Sequence, residues 1–180
     1  MRKIFQLNIK LLTIILFTIM STKTVKANKS NFITLKTSKG LIVIKTLPKI
    51  APNHVKRIKD LVSSGFYNGI IFHRVIKGFM AQTGDPLGNG TGGSGKNLKA
   101  EFSDYKYKYG TVGMARSMNP DSGDSQFFIC FDGCGHLTGQ YTVWGQVESG
   151  MEVVEKIEIG EPPSNPDQII EAFVGKKKTK

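Results

Sequence analysis

Short runs rich in β-branched and apolar residues recur along most of this chain, and they constrain its fold more than any other feature. Residues 32–37 and 41–45 are two such runs, and Ser38-Lys39-Gly40 between them has the composition of a hairpin turn. Similar runs predict further strands at residues 70–75, 79–83, 111–115, 126–131, 142–147 and 169–174. The sequence therefore predicts a mainly β domain of about eight short strands.

Two segments have the periodicity of an amphipathic helix instead. The first covers residues 52–64, where Pro52 favours a helix start and Gly65 a helix end. The second lies near residues 150–157, where Ser149-Gly150-Met151-Glu152 has the spacing of a capping box. Closing the sheet removes its unpaired strand edges. We therefore expect a closed eight-stranded antiparallel barrel, with the two α-helices capping its open ends.

The first 27 residues have the organisation of a secretory signal peptide. Basic residues precede an apolar run at residues 11–20, and Val25-Lys26-Ala27 places small residues at the cleavage position. The apolar run is about half the roughly 20 residues that a membrane-spanning helix needs, so we expect cleavage and no stable membrane anchor afterwards. This interpretation divides the chain into a signal peptide at 1–27, one domain at 28–175 and a basic, disordered tail at 176–180.

The positive charge of the chain is concentrated at its two ends. The formal net charge is +11, but five basic residues and no acidic residue lie in residues 1–27, and four of the last five residues are lysines. Residues 28–175 are therefore nearly neutral overall, and we expect no nucleic-acid-binding face.

A glycine-rich stretch resembles two nucleotide-binding patterns without their context. Residues 88–93 match G-x-G-x-x-G, and residues 90–96 match most of a P-loop, but Asn97 stands where a P-loop has the hydroxyl for magnesium. Neither a preceding buried strand nor a following helix is predicted here. We interpret residues 86–97 as a mobile surface loop and expect no nucleotide cofactor.

The histidines and cysteines show no metal-binding spacing. His54, His73 and His136 are isolated, so we expect no metal, and a hydrogen-bonded structural role is the expectation for His73. Cys130 and Cys134 are four positions apart, and export would place them where oxidation is possible. Cys130 is interpreted first as an ordinary buried thiol, while a local disulfide stays open.

A segment from Phe72 to Asp85, with the sequence FHRVIKGFMAQTGD, places an arginine among phenylalanine, methionine and glutamine without an ordinary nucleophile. This combination suits a substrate that needs no covalent chemistry. Together with Ser125-Gln126-Phe127-Phe128-Ile129, the segment resembles the cyclophilin family of peptidyl-prolyl cis-trans isomerases. The likeness runs from about Asn31 to Gly175, and it implies an eight-stranded barrel capped by two helices.

The resemblance also implies a role for individual residues. Arg74 matches the catalytic arginine, and Gln82 matches the glutamine that helps to position this arginine and the substrate. His136 stands where strongly cyclosporin-sensitive members have tryptophan, which implies weak cyclosporin binding. Arg116 stands where many members have asparagine, and Tyr141 replaces a histidine while still able to close that side of the pocket. The other positions matching the proline pocket or peptide groove are Phe79, Met80, Ala115, Gln126, Phe128 and Leu137.

The expected function is therefore a monomeric peptidyl-prolyl cis-trans isomerase that acts on proline-containing polypeptides during the folding of exported proteins and needs no cofactor. The chain as a whole, including Gly160-Glu161-Pro162-Pro163, is similar to the small exported cyclophilins of Gram-negative bacteria. This similarity implies a location in the periplasm. The alternative is a non-catalytic module, a holdase or an adhesin, that binds exposed proline loops without turnover.

Overall fold

The computed structural model describes residues 30–176. The predicted signal peptide at 1–27, and all of the predicted tail except Lys176, lie outside the described residues. The described part contains eight strands, which are β1 Phe32–Thr37, β2 Gly40–Thr46, β3 Arg74–Ile76, β4 Met80–Thr83, β5 Thr111–Met114, β6 Phe127–Cys130, β7 Val143–Ser149 and β8 Ile169–Val174. It also contains the helices α1 Pro52–Ser63 and α2 Met151–Val154, and two 3-10 segments at Pro120–Ser122 and Asp132–Leu137.

The eight strands form one curled antiparallel sheet in the order β3-β4-β6-β5-β7-β2-β1-β8. This confirms the mainly β, eight-stranded prediction. The edge strands β3 and β8 do not pair with each other as strands, so the predicted closed barrel is not confirmed. Segments next to the two edges do meet, because Gly69 N donates to Ile169 O at 2.7 Å and Phe72 N donates to Asp167 O at 2.8 Å.

The inner face of the sheet forms the main core. On β1 and β2 the alternating side chains of Ile33, Leu35, Ile42 and Ile44 are all buried there. One face of α1 packs against the same core, through Val55, Ile58, Leu61 and Val62. Each such aliphatic side chain contributes about 1.5–3 kcal/mol by leaving water, so the register of each strand is set by which face it buries.

Strand β6 is buried on both faces, and this fact locates the site. Phe127 and Ile129 belong to the main core, whereas Phe128 and Cys130 belong to a second apolar cluster with Met80, as the alternation of a strand requires. This second cluster lies on the outer face of the sheet, beneath the segments that follow β4 and β6 in the chain. Alternate apolar residues of β6 therefore belong to different clusters, and only those of the second cluster lie on the face that carries the site.

Two predicted features, the cap of α2 and the start of β3, differ from the structure for reasons that lie in the backbone. Helix α2 begins after Gly150, whose φ of 98° is left-handed, and no side chain caps the helix, so the predicted capping box from Ser149 is wrong. A side chain at Gly150 would also meet Leu41 O at 2.3 Å. Strand β3 begins at Arg74 rather than at residue 70, because the backbone before it pairs with residues 167–169 instead of with β4.

The two cysteines are joined by a disulfide, with their Cα atoms 6.0 Å apart. The first interpretation of Cys130 as a free thiol is therefore wrong. The bridge connects the end of β6 to the 3-10 segment Asp132–Leu137, which carries His136 and Leu137.

In residues 30–176, no helix combines the length and the apolar character that a membrane crossing requires.

Candidate active site

A hollow of about 290 Å³ lies on the outer face of the sheet, and ten of the eleven predicted site residues line it. The eleventh, Gln126, lines an adjoining groove of about 400 Å³ beside the glycine-rich loop. Gln82, Ala115 and Arg116 line both cavities and so form the ridge between them. The residues of the hollow are Arg74, Phe79, Met80, Gln82, Ala115, Arg116, Phe128, His136, Leu137 and Tyr141.

Strand register brings the central residues of the hollow together. Arg74 on β3 pairs with Gln82 on β4, and Gln82 pairs in turn with Phe128 on β6. Directly paired residues of neighbouring antiparallel strands point to the same face of a sheet. The arginine, the glutamine and the phenylalanine therefore form one row across three strands, although they are far apart in the sequence.

Aromatic rings form the closed, apolar end of the hollow. The Phe128 ring is nearly parallel to Tyr107, with centroids 5.9 Å apart, and meets the Tyr141 ring edge-on at 5.8 Å. On the opposite side the Phe79 ring stacks with His136 at 5.6 Å. Burial raises the pKa of Tyr107 far above its ordinary value, so this phenol stays neutral beneath the hollow. The hollow therefore combines this aromatic, apolar part with polar side chains, among them Arg74 and Gln82.

Arg74 lines this cavity, and its guanidinium is bound by Glu161 and Met80. Its Nε donates to Glu161 Oε2 at 2.6 Å, and its Nη1 lies 3.9 Å from Met80 Sδ. The side chains of Arg74 and Glu161 are 39% and 52% exposed. Because Glu161 binds Nε and Met80 contacts Nη1, Nη2 is the guanidinium nitrogen without a hydrogen-bond partner among the described residues. Glu161 was not among the predicted site residues, because it is 87 positions from Arg74 and no spacing pattern reveals it.

The two predicted glutamines form a chain that leads away from Arg74. Gln82 Nε2 donates to Gln126 Oε1 at 2.9 Å, and Gln126 Nε2 donates to the carbonyls of Gly90 and Gly92 at 3.0 and 2.8 Å. Within the described residues, no hydrogen bond joins the Gln82 side chain to Arg74. Strand register places Gln82 opposite Arg74, while its amide hydrogen-bonds Gln126 in the wall of the adjoining groove.

The glycine-rich loop is fastened by two carboxylates. Asp85 accepts from the backbone N–H groups of Leu87 and Asn89 at 2.8 and 3.0 Å, and Asp124 accepts from Gly95 N at 2.8 Å. Burial acts to raise the pKa of Asp85, but the backbone N–H donors outweigh it and hold this pKa below its ordinary value of 3.8. The predicted surface loop forms a hydrogen-bonded wall of the groove, and its mobility stays a prediction.

His73 differs from its expected role as a hydrogen-bonded structural histidine. The residue is only 5% exposed, and neither ring nitrogen has a hydrogen-bond partner among the described residues. Burial lowers its pKa from the ordinary 6.5, Asp85 opposes this shift, and the positive charge of Arg74 adds to it. The imidazole next to Arg74 is therefore neutral at pH 7.

Comparison with known proteins agrees with this geometry. Residues 32–174 match the family model described as cyclophilin type peptidyl-prolyl cis-trans isomerase/CLD. A Brucella abortus protein named probable peptidyl-prolyl cis-trans isomerase is 50% identical over 165 residues, which cover 82% of this chain and 84% of that protein. A Helicobacter pylori peptidyl-prolyl cis-trans isomerase is 44% identical over 137 residues, covering 74% of this chain and 83% of the relative.

Solved structures show the same likeness. The crystal structure of a cyclophilin from Hirschia baltica superposes with a TM-score of 0.73 at 30% identity, covering 81% of this chain and 74% of that one. A Cryptosporidium parvum cyclophilin type peptidyl-prolyl cis-trans isomerase, crystallised in the presence of the dipeptide Ala-Pro, gives a TM-score of 0.75 at 29% identity, covering 81% and 99%. The sequence, the fold and these relatives lead to one conclusion: this chain belongs to the cyclophilin family of peptidyl-prolyl cis-trans isomerases.

Proposed function

We propose that the hollow lined by Phe128 takes the pyrrolidine ring of a substrate proline while Arg74 stabilises the twisted peptide bond before it. Rotation about an Xaa-Pro bond meets a barrier of about 18–20 kcal/mol, because resonance between nitrogen and carbonyl is lost at the twisted geometry. A turnover of about 10³ per second corresponds to a barrier of roughly 13 kcal/mol, so the site must stabilise the twisted state by about 6 kcal/mol.

Arg74 is suited to this task because its donors match the charge that develops during rotation. The prolyl nitrogen recovers its lone pair as resonance is lost, and a guanidinium can donate to that nitrogen. Glu161 binds Nε and Met80 Sδ contacts only Nη1 at 3.9 Å, so Nη2 is the donor available to substrate. The contact accelerates rotation only because it is stronger in the twisted form than in either planar isomer.

The apolar rings supply the remaining part of the stabilisation. Phe128, Met80 and Leu137 are each less than one-tenth exposed, so a proline ring between them leaves water and is held by shape. No covalent bond to the substrate forms, and no cofactor enters this mechanism. The observation that carries the proposal is that the guanidinium of Arg74 and this apolar wall belong to one 290 Å³ hollow.

The proposed natural setting is the folding of exported proteins in the periplasm of a Gram-negative bacterium, by a monomer. The signal-like composition of residues 1–27 supports the export part of this proposal. The proposed substrates are proline-containing polypeptides, the class to which the Ala-Pro used with the Cryptosporidium relative belongs.

We also propose weak cyclosporin binding, because the imidazole of His136 offers less stacking area than an indole. A nanomolar inhibition constant for cyclosporin contradicts this proposal.

The deciding experiment separates the isomerase from the non-catalytic binding module. Isomer-sensitive proteolysis of an Ala-Ala-Pro-Phe peptide is measured with the unmodified protein, with Arg74→Ala and with Lys77→Ala, whose exposed charge lies three positions away outside the hollow. Loss of a preorganised donor lowers kcat/KM by about 10²–10³ for Arg74→Ala, while Lys77→Ala stays active. Equal rates for the unmodified protein and Arg74→Ala exclude this role for Arg74. Peptide binding without acceleration selects the binding module.

A further inference from the structure

Arg116 differs from the other arginines of residues 30–176 in its electrostatic environment. Arg74 pairs with Glu161 at 2.6 Å, and Arg57 lies 3.7 Å from the carboxylate of Asp124. Arg116 has no carboxylate within ion-pair distance among the described residues. Its charge is therefore not neutralised by the protein.

The guanidinium of Arg116 is nevertheless held firmly. Its Nη2 and Nε donate to Gln140 O at 3.0 and 3.3 Å, and its Nη1 donates to Ser117 O at 2.9 Å. The group also lies over the Tyr141 ring, 4.4 Å from the centroid. A cation in a fixed position loses little side-chain entropy when it meets an anionic partner, so it can discriminate between ligands better than a flexible lysine.

The location of Arg116 decides which ligand it can meet. It lines both the 290 Å³ hollow and the 400 Å³ groove, so it faces a peptide that passes from one to the other. Asp124 is the acidic residue that lines the groove, and its carboxylate is already bound by Gly95 N at 2.8 Å and by Arg57 at 3.7 Å. The ridge is therefore positive, with no free carboxylate of the described protein beside it.

We propose that Arg116 makes this isomerase prefer proline segments that carry an aspartate or glutamate side chain in the groove. The inference rests on the proposed function, because it assumes that the proline ring occupies the hollow. Consecutive residues of an extended peptide advance by about 3.3–3.6 Å, so the residue beside the ridge lies within about two positions of the proline. The preferred substrates are thus Xaa-Pro segments with a carboxylate at one defined nearby position.

A set of blocked peptides tests this preference. Each peptide is acetylated and amidated, which removes terminal charges, and carries Glu or Gln at one of the two positions before or the two positions after proline. Catalysed cis-trans exchange is measured by NMR, so that no protease selects among the sequences. For the unmodified protein we expect kcat/KM to favour Glu over Gln by about threefold at one position at low ionic strength, and less at high salt.

Variants assign the preference to Arg116, with the Glu-to-Gln ratio as the readout. Arg116→Asn abolishes the ratio, Arg116→Lys lowers it but keeps Glu ahead of Gln, and Lys56→Gln, which removes an exposed charge on α1, leaves it unchanged. An unchanged ratio in Arg116→Asn, a lost ratio in Arg116→Lys, or an equal preference at every position overturns the inference. Acceleration of all peptides without any preference refutes only this inference, whereas no acceleration of any peptide refutes the proposed function.

Discussion

Replacing Glu161 by glutamine removes the charge that holds Arg74 while it keeps the size of the side chain. The carboxylate accepts from Arg74 Nε at 2.6 Å, and a glutamine carbonyl oxygen can still accept there. The change therefore tests how far the ion pair orients the guanidinium. We expect kcat/KM to fall, because part of the ordering of Arg74 must then be supplied in the transition state.

The magnitude follows from the exposure of the pair. The two side chains are 39% and 52% exposed, and ion pairs in such positions contribute about 0.2–1 kcal/mol. If the whole contribution of the ion pair is lost in the transition state, kcat/KM falls by no more than about fivefold. The free energy of unfolding is expected to fall by no more than about 1 kcal/mol for the same reason.

Glu148→Gln is the matched control. Glu148 pairs with Lys176 at 3.0 Å, the two side chains are 42% and 49% exposed, and neither residue lines the hollow. Protease-coupled isomerisation and urea unfolding are measured for both variants. Similar small losses of stability are expected, with a loss of activity in Glu161→Gln alone. Unchanged or increased activity in Glu161→Gln refutes the orienting role, and a loss beyond about hundredfold shows that Glu161 does more than orient Arg74.

Three further predictions concern stability. Asp85→Asn is expected to lower the free energy of unfolding by about 2 kcal/mol at pH 7, because a carboxylate that accepts several backbone hydrogen bonds is lost. In the unmodified protein this stabilisation disappears as pH falls below 3.8, because the pKa of Asp85 is lowered. A variant as stable as the parent at pH 7 disproves the prediction. His73, whose pKa is lowered, makes stability decline as pH falls below 6.5, so thermal melts of His73→Gln should depend less on pH there; identical pH profiles contradict this. Reduction of the Cys130–Cys134 disulfide, or Cys134→Ser, should cost about 2 kcal/mol in urea unfolding because the bridge closes only a short loop, and no loss on reduction is the opposing result.

The sequence predicts most of the strands well because their apolar patterns are local, whereas the late start of β3 depends on pairing with residues 167–169. The alternation in residues 32–37 and 41–45, and the turn between them, are enough to predict the hairpin that β1 and β2 form. Helix α1 is likewise predicted within one residue from Pro52, its apolar face and Gly65. The cap of α2 could not be predicted from side chains, since the helix begins at the left-handed backbone of Gly150, which closely approaches Leu41.

The candidate site is predictable as far as the family resemblance extends. Residues 72–85 and 125–129 contain the row from Arg74 through Gln82 to Phe128, and the resemblance identifies these positions without any knowledge of register. Glu161 reaches Arg74 through the tertiary fold alone, so no local pattern reveals it. The missing partners of His73 and the open edge between β3 and β8 are likewise properties of the assembled sheet.

The exchange rate of a bound peptide tests the role of Arg74 most directly. Cis-trans exchange of a saturating Xaa-Pro peptide is measured by NMR for the unmodified protein and for Arg74→Lys, and Kd is measured separately by titration. Lysine keeps the charge but lacks the forked donors, so we predict an exchange rate lower by about 10²-fold with nearly the same Kd. An unchanged exchange rate in Arg74→Lys, or a Kd that weakens in proportion to the rate, contradicts the claim that the guanidinium stabilises the twisted peptide bond.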